Sequence, residues 1–234
     1  NNGNNPNNYS RTVYHAENNE DNPDYYALME FIQALNNTGS PDYRCQLEAL
    51  FDVDDYIKRM AMEVLLGHWD NPIYNKNNAY LYRNTKTGKF ELWSYDIDNT
   101  YGIDWFGVNW AERNIYTWAH PTDPRPIFNN LMNVPEYKVR YGYYIKQFIK
   151  DFFNPGYMFP YIENIKNRIK AYRINDTYAK KDYGYSYQDF LTSYENALGA
   201  HVKRGLNEYS SIRPASANQQ LRTTGVHPVI EQVS

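Results

Sequence analysis

Two carboxylates and a carboxamide, met in a fixed order along the chain, carry the chemical content of this sequence. Asp70 lies in the run His68-Trp69-Asp70-Asn71-Pro72-Ile73-Tyr74-Asn75-Lys76-Asn77-Asn78, and Asp96 opens Asp96-Ile97-Asp98 directly behind an aromatic, apolar stretch. Oxygen donors of this kind suit Mg²⁺ or Mn²⁺, which takes one or two carboxylates from a protein and completes its shell with phosphates and water. Asp and Asn are also ordinary turn residues, so their meaning depends on the elements that position them.

Those elements can be read from periodicity. Leu28, Met29, Phe31, Ile32 and Leu35 fall at helical spacing, and Asn36-Asn37-Thr38-Gly39 stops that helix. A second helix is predicted from about Asp54 to Leu66, with Asp52 or Asp54 as N-cap and Ile57, Met60, Ala61, Val64 and Leu65 as its apolar stripe. Gly67 ends it, and residues 68–78 hold turn chemistry. Ala79 to Arg83 and Lys89 to Tyr95 then read as a hairpin joined by Asn84-Thr85-Lys86-Thr87-Gly88. A helix thus delivers Asp70 to a loop, the loop delivers Asn78 to a strand, and the hairpin returns Asp96 beside its starting point. Residues 99–126 read as a long ordered loop. Helices are predicted at about 135–153, 157–173 (Tyr161, Ile162, Ile165, Ile169 and Tyr172 on one side, Pro160 in its first turns) and 186–212. The chain after Pro214 reads as extended. The expected class is α+β, predominantly helical, with one β-hairpin. It divides into a flexible Asn-rich lead-in (1–22), the main lobe (23–215) and an extended tail (216–234).

This order of parts is similar to that of protein kinases, in which a helix leads to a His-Arg-Asp loop, a metal-binding Asn, a hairpin and a second metal-binding Asp. Asn75 has the kinase spacing from Asp70, whereas Asn78 has the kinase placement just before the strand and is preferred. The blocks Phe51-Asp52-Val53-Asp54-Asp55-Tyr56, Gly67-His68-Trp69-Asp70, Asn77-Asn78-Ala79-Tyr80-Leu81-Tyr82-Arg83, Gly88-Lys89-Phe90 and Tyr95-Asp96-Ile97-Asp98-Asn99-Thr100-Tyr101-Gly102 resemble the CotH family of atypical kinases over roughly residues 24–215. The resemblance implies a kinase-like C-terminal lobe that uses ATP with Mg²⁺ or Mn²⁺ and phosphorylates Ser or other hydroxyls of a protein substrate. It implies Asp70 as the catalytic-loop Asp, Asn78 and Asp96 as metal ligands, and Asp98 as a further acidic residue. It also implies a secreted, cell-surface or spore-coat setting. Nothing in the chain resembles the N-terminal kinase lobe with its ATP-binding Lys. The Asn-rich opening reads as mid-loop, so that lobe is expected upstream in the parent chain, and this piece alone is expected to be inactive.

Composition sets outer bounds. The 234 residues can build one sizeable domain, and 25 tyrosines give it an unusual aromatic content. With Lys+Arg 24 against Asp+Glu 27, net charge −3, no bias toward nucleic acid appears. No stretch approaches the roughly 20 apolar residues of a bilayer span. Cys45 is the single cysteine, so no internal disulfide or cysteine zinc site exists. His68 could orient its loop or act as a helix C-cap cation, and His15, His120, His201 and His227 read as surface or packing residues. The aromatic run Trp105, Phe106, Trp110, Tyr116 and Trp118 gives the competing reading, a non-catalytic surface or adhesion module that binds protein or glycan.

Overall fold

The computed structural model describes residues 5–9, 14–18, 21, 25–181 and 183–223. Among these, eight α-helices surround one two-stranded antiparallel sheet: α1 (Tyr26–Asn36), α2 (Tyr43–Leu50), α3 (Val53–Leu66), β1 (Ala79–Arg83), β2 (Phe90–Ser94), α4 (Pro126–Met132), α5 (Pro135–Asp151), α6 (Pro155–Arg173), α7 (Tyr187–Thr192) and α8 (Leu206–Thr223). The chain is α+β and mainly helical.

Helix α3 is the axis of the molecule. Its N-cap is Asp52, whose carboxylate accepts from the Asp55 amide at 3.1 Å, and Asp54 and Asp55 add negative charge to its first turn. Val53, Tyr56, Ile57, Met60, Ala61, Val64 and Leu65 are all buried, against α5, α8 and β2. The hairpin pairs Ala79 with Ser94 through Arg83 with Phe90. Phe90 and Leu92 face the core, and Phe31 meets Phe51 and Phe90 with ring centroids 5.0 and 5.3 Å away. The opposite face of the sheet carries exposed Tyr80, Tyr82, Trp93 and Tyr95.

Several expectations need correction. Helices α2 and α4 were not foreseen, because each buries only two residues (Tyr43 and Leu47; Phe128 and Leu131) and shows too little stripe to read. The helix expected over 186–212 is two helices. Residues 193–205 between them are irregular, with Gly199 and Ala200 at φ 80° and 40°. The extended tail is wrong for 216–223, which continue α8 through Pro214. Tyr209, Arg213, Ala217 and Leu221 recur at every fourth position and are all buried, and this outweighs the lost rung at proline. Residues 224–234 lie outside the described residues. In the Asn-rich lead-in, Tyr9 is buried, its ring lies 5.1 Å from Tyr14, and Tyr25 donates to the Tyr14 carbonyl at 2.6 Å. On α6 only Met158 and Ile162 are buried, so Tyr161, Ile165, Ile169 and Tyr172 of the expected stripe face outward.

Candidate active site

The site begins where α3 ends. A helix leaves its last four carbonyls without partners, and here all four are answered. Gly67, left-handed at φ 77°, donates to Val64, and His68 donates to the Glu63 carbonyl at 2.9 Å. That pair of bonds is a Schellman closure. The Arg213 Nε also donates to the Val64 carbonyl at 3.1 Å, the Tyr209 hydroxyl to Leu65 at 3.3 Å, and the Tyr101 amide to Leu66 at 2.8 Å. The loop that follows therefore leaves a fixed platform, and α8 supplies half of it. Burial pushes the Arg213 guanidinium down and the Tyr209 phenol up from their ordinary values.

Asn71, fully buried, organises the loop. Its Oδ1 accepts from the Ile73 and Tyr74 amides at 3.1 Å each, and its carbonyl accepts from the Asn75 and Lys76 amides at 3.0 and 2.9 Å. The Trp69 indole donates to the Ile103 carbonyl at 2.7 Å, and Lys76 reaches Asp123 at 2.6 Å. The turn needs left-handed backbone at Lys76 (φ 60°), Asn78 (φ 55°) and Asp96 (φ 49°). Asn and Asp tolerate that region better than other side chains with a Cβ.

Asp70 sits at the centre of a cradle of carboxamides. Its Oδ1 accepts from Asn75 at 2.6 Å, its Oδ2 accepts from Asn78 at 3.1 Å, and Asn77 lies at 3.4 Å from Oδ1. The Asn78 Nδ2 also approaches the Asp96 carbonyl at 3.4 Å, and the Tyr95 amide donates to the Asn78 carbonyl at 3.0 Å. Asp70, Asn75, Asn78 and the Asp96 backbone thus meet at one end of the hairpin. Asp98 instead accepts from its neighbour Asn99 at 2.9 Å and bonds to none of the other four.

The donor types here, carboxylate and carboxamide oxygens, are those a hard divalent cation takes. With Nδ2 engaged, the Asn78 Oδ1 has no donor, and the exposed Asp96 carboxylate has no hydrogen-bond partner among the described residues. No three His, Cys, Asp or Glu side chains cluster among the described residues, so a cation here would draw the rest of its shell from phosphate or water.

Glu63, Asn71 and Ser94 were missed by the sequence reading. Glu63 is buried beneath the loop, where its Oε2 accepts from Asn71 at 2.6 Å and its Oε1 from the Ser94 hydroxyl. A glutamate on the buried side of an apolar helix was the available signal. His68 is fully buried with Nδ1 3.6 Å from Glu63, so it is no exposed C-cap cation. In the aromatic run, Trp110, Tyr116 and Trp118 are buried core and only Trp105 and Phe106 are exposed, Phe106 edge-on to Trp69 at 5.0 Å.

Comparison with known proteins bears on this geometry. The CotH kinase protein family profile matches residues 1–204, and so takes in the segment read as a lead-in. The inner spore coat protein H of Bacillus subtilis is 25% identical over 169 residues, covering 72% of this chain and 44% of that protein. Spore coat protein homolog 1 of Rhizopus delemar is 28% identical over 120 residues, covering 48% of this chain and 19% of that protein. The chain therefore spans less than half the length of these curated relatives.

Proposed function

We propose a function from one premise: the chain belongs to the CotH kinase protein family. It is the C-terminal lobe of a kinase that moves the γ-phosphoryl group of ATP to Ser or another hydroxyl of a protein. By analogy with the two relatives, whose names are those of spore coat proteins, it works in a secreted or surface setting. Among the described residues no helix is long and apolar enough to cross a membrane.

One observation carries the reading. The Asn78 carboxamide bridges the Asp70 carboxylate and the Asp96 main chain at 3.1 and 3.4 Å, so loop and hairpin are registered on each other. Asp96 and the Asn78 Oδ1 would hold Mg²⁺ or Mn²⁺, whose charge would offset that of the nucleotide phosphates. Asn75 is the alternative carboxamide; it too donates to Asp70, but it is exposed and, unlike Asn78, makes no bond to the Asp96 segment. Asp70, restrained by Asn75 and Asn78, orients the acceptor hydroxyl and takes its proton. The adhesion-module reading keeps only Trp105 and Phe106 as exposed members of its platform.

The test is transfer of label from γ-labelled ATP to a Ser-rich polypeptide by the full-length protein with Mn²⁺. Incorporation that Asp96→Ala removes is the expected result. No incorporation, or incorporation indifferent to Asp96, overturns the reading.

A further inference from the structure

We infer that Glu63 is a positioning residue that locks the two halves of the candidate site into one register; the inference rests on the kinase reading above. The functional groups arrive on separate pieces of chain, Asp70 on the loop after α3 and Asp96 at the end of β2. Glu63 lies between them and hydrogen-bonds to both pieces. Its Oε2 accepts from Asn71, the residue after Asp70, at 2.6 Å. Its Oε1 accepts from the Ser94 hydroxyl, two residues before Asp96. His68, two residues before Asp70, stands 3.6 Å from the same Oε2.

The environment explains why the clamp is stiff. Glu63 is 8% exposed, and His68 and Asn71 are 0% exposed. No Lys or Arg pairs with it; the other ionisable group that feels its charge is Tyr56, whose phenol is pushed up first by its own burial and then by Glu63. A buried carboxylate with no Lys or Arg partner must satisfy its oxygens with other donors, and here the hydrogen-bond donors come from the two segments being joined. Either segment can move only by stranding the carboxylate, so the loop and the strand end move together or not at all. The Asn78 bridge, itself only 6% exposed, registers the same two segments beside Asp70. Glu63 does so through Asn71 and Ser94.

The experiment uses the full-length protein and reads Mn²⁺ affinity in the presence of ATP by electron paramagnetic resonance, beside kcat and KM. Glu63→Leu keeps the bulk but not the acceptors. It should weaken Mn²⁺ binding and lower kcat by about 10-fold or more each, the usual cost of losing a support behind a metal site, with KM for the acceptor little changed. Glu63→Gln can still accept from Asn71 and donate to the Ser94 oxygen, so it should restore most of both. A merely structural residue would not separate the two variants in this way. If Glu63→Leu does not fold, Ser94→Ala decides, since it breaks only the strand link: the protein should stay folded, with no more than the modest loss of melting temperature that one stranded acceptor costs, while Mn²⁺ binding weakens. Unchanged Mn²⁺ affinity in Ser94→Ala, or in a folded Glu63→Leu, overturns the inference while leaving an active kinase. Absence of nucleotide-dependent Mn²⁺ binding in the unmutated protein overturns the kinase reading instead, and the inference with it.

Discussion

Two irregular loops lie side by side in this molecule, residues 68–78 and 104–120, and each is organised by one buried polar side chain. In the first, Asn71 gathers the amides of Ile73 and Tyr74 on Oδ1 and those of Asn75 and Lys76 on its carbonyl. In the second, Asp104 accepts from the amides of Phe106, Gly107 and Val108 at 3.0, 2.9 and 3.2 Å and from the Trp110 indole at 2.9 Å. The solutions are alike, but the products differ. The second loop closes on itself and buries Trp110 and Trp118 as core. The first holds Asp70 half-exposed between the Asn75 and Asn78 carboxamides, with left-handed backbone at Lys76 and Asn78 that the surrounding structure must hold. The second loop binds its carboxylate to its own main-chain amides, whereas the first binds Asp70 to the side-chain carboxamides of Asn75 and Asn78.

If that contrast is right, the two loops should fail in different ways. The largest effect belongs to the first. Asp70→Asn in the full-length protein should lower kcat by about 10²–10⁴-fold, the usual range for a lost general base, while urea denaturation stays near wild type. A variant that unfolds, or that keeps its rate, breaks the comparison. Asp104→Ala should do the reverse. It strands the buried Trp110 indole donor, at roughly 1–3 kcal/mol, and frees three part-buried amides, so denaturation should show a loss of about 2 kcal/mol or more.

Gly67→Ala tests the platform common to both. At φ 77° an alanine is strained, and its Cβ would run into the Tyr209 hydroxyl. The expected loss is about 2 kcal/mol, part of which Tyr209→Phe should return in the double variant because it removes the atom that clashes most severely. A single variant as stable as wild type would mean that α8 does not support the loop. The smallest effect is at the surface. Phe106→Ala, which removes the edge-on contact with Trp69, should cost stability no more than about 1 kcal/mol, and raise KM for a protein acceptor without changing KM for ATP. Equal shifts in both would remove Phe106 from the acceptor side.

How much of this was legible in the sequence follows from what kind of force fixes each part. Helix α3, its Gly67 stop and the hairpin were readable because local periodicity and turn chemistry specify them, while the cap was narrowed to Asp52 or Asp54 and the structure puts it at Asp52. The convergence of Asp70 and Asn78 followed from that order. What escaped depends on tertiary partners. Helix α8 runs through Pro214 because its buried stripe includes Arg213, whose guanidinium lies over Trp118 at 4.9 Å and binds main-chain carbonyls of Val64 and Arg113. No one-dimensional pattern counts an arginine as core. Glu63, Asn71 and Ser94 escaped for the same reason, since a polar residue declares itself structural only when its partners, 8 and 31 positions away for Glu63, are known.

The central claim is that Asp96 and Asn78 hold a divalent cation against a nucleotide beside Asp70. Titration of Mn²⁺ into the full-length protein with ATP, followed by electron paramagnetic resonance, tests it directly. Binding that is lost in Asp96→Ala, weakened in Asn78→Ala and untouched in Asp98→Ala is the predicted result. Mn²⁺ binding that survives in Asp96→Ala and Asn78→Ala alike would contradict it.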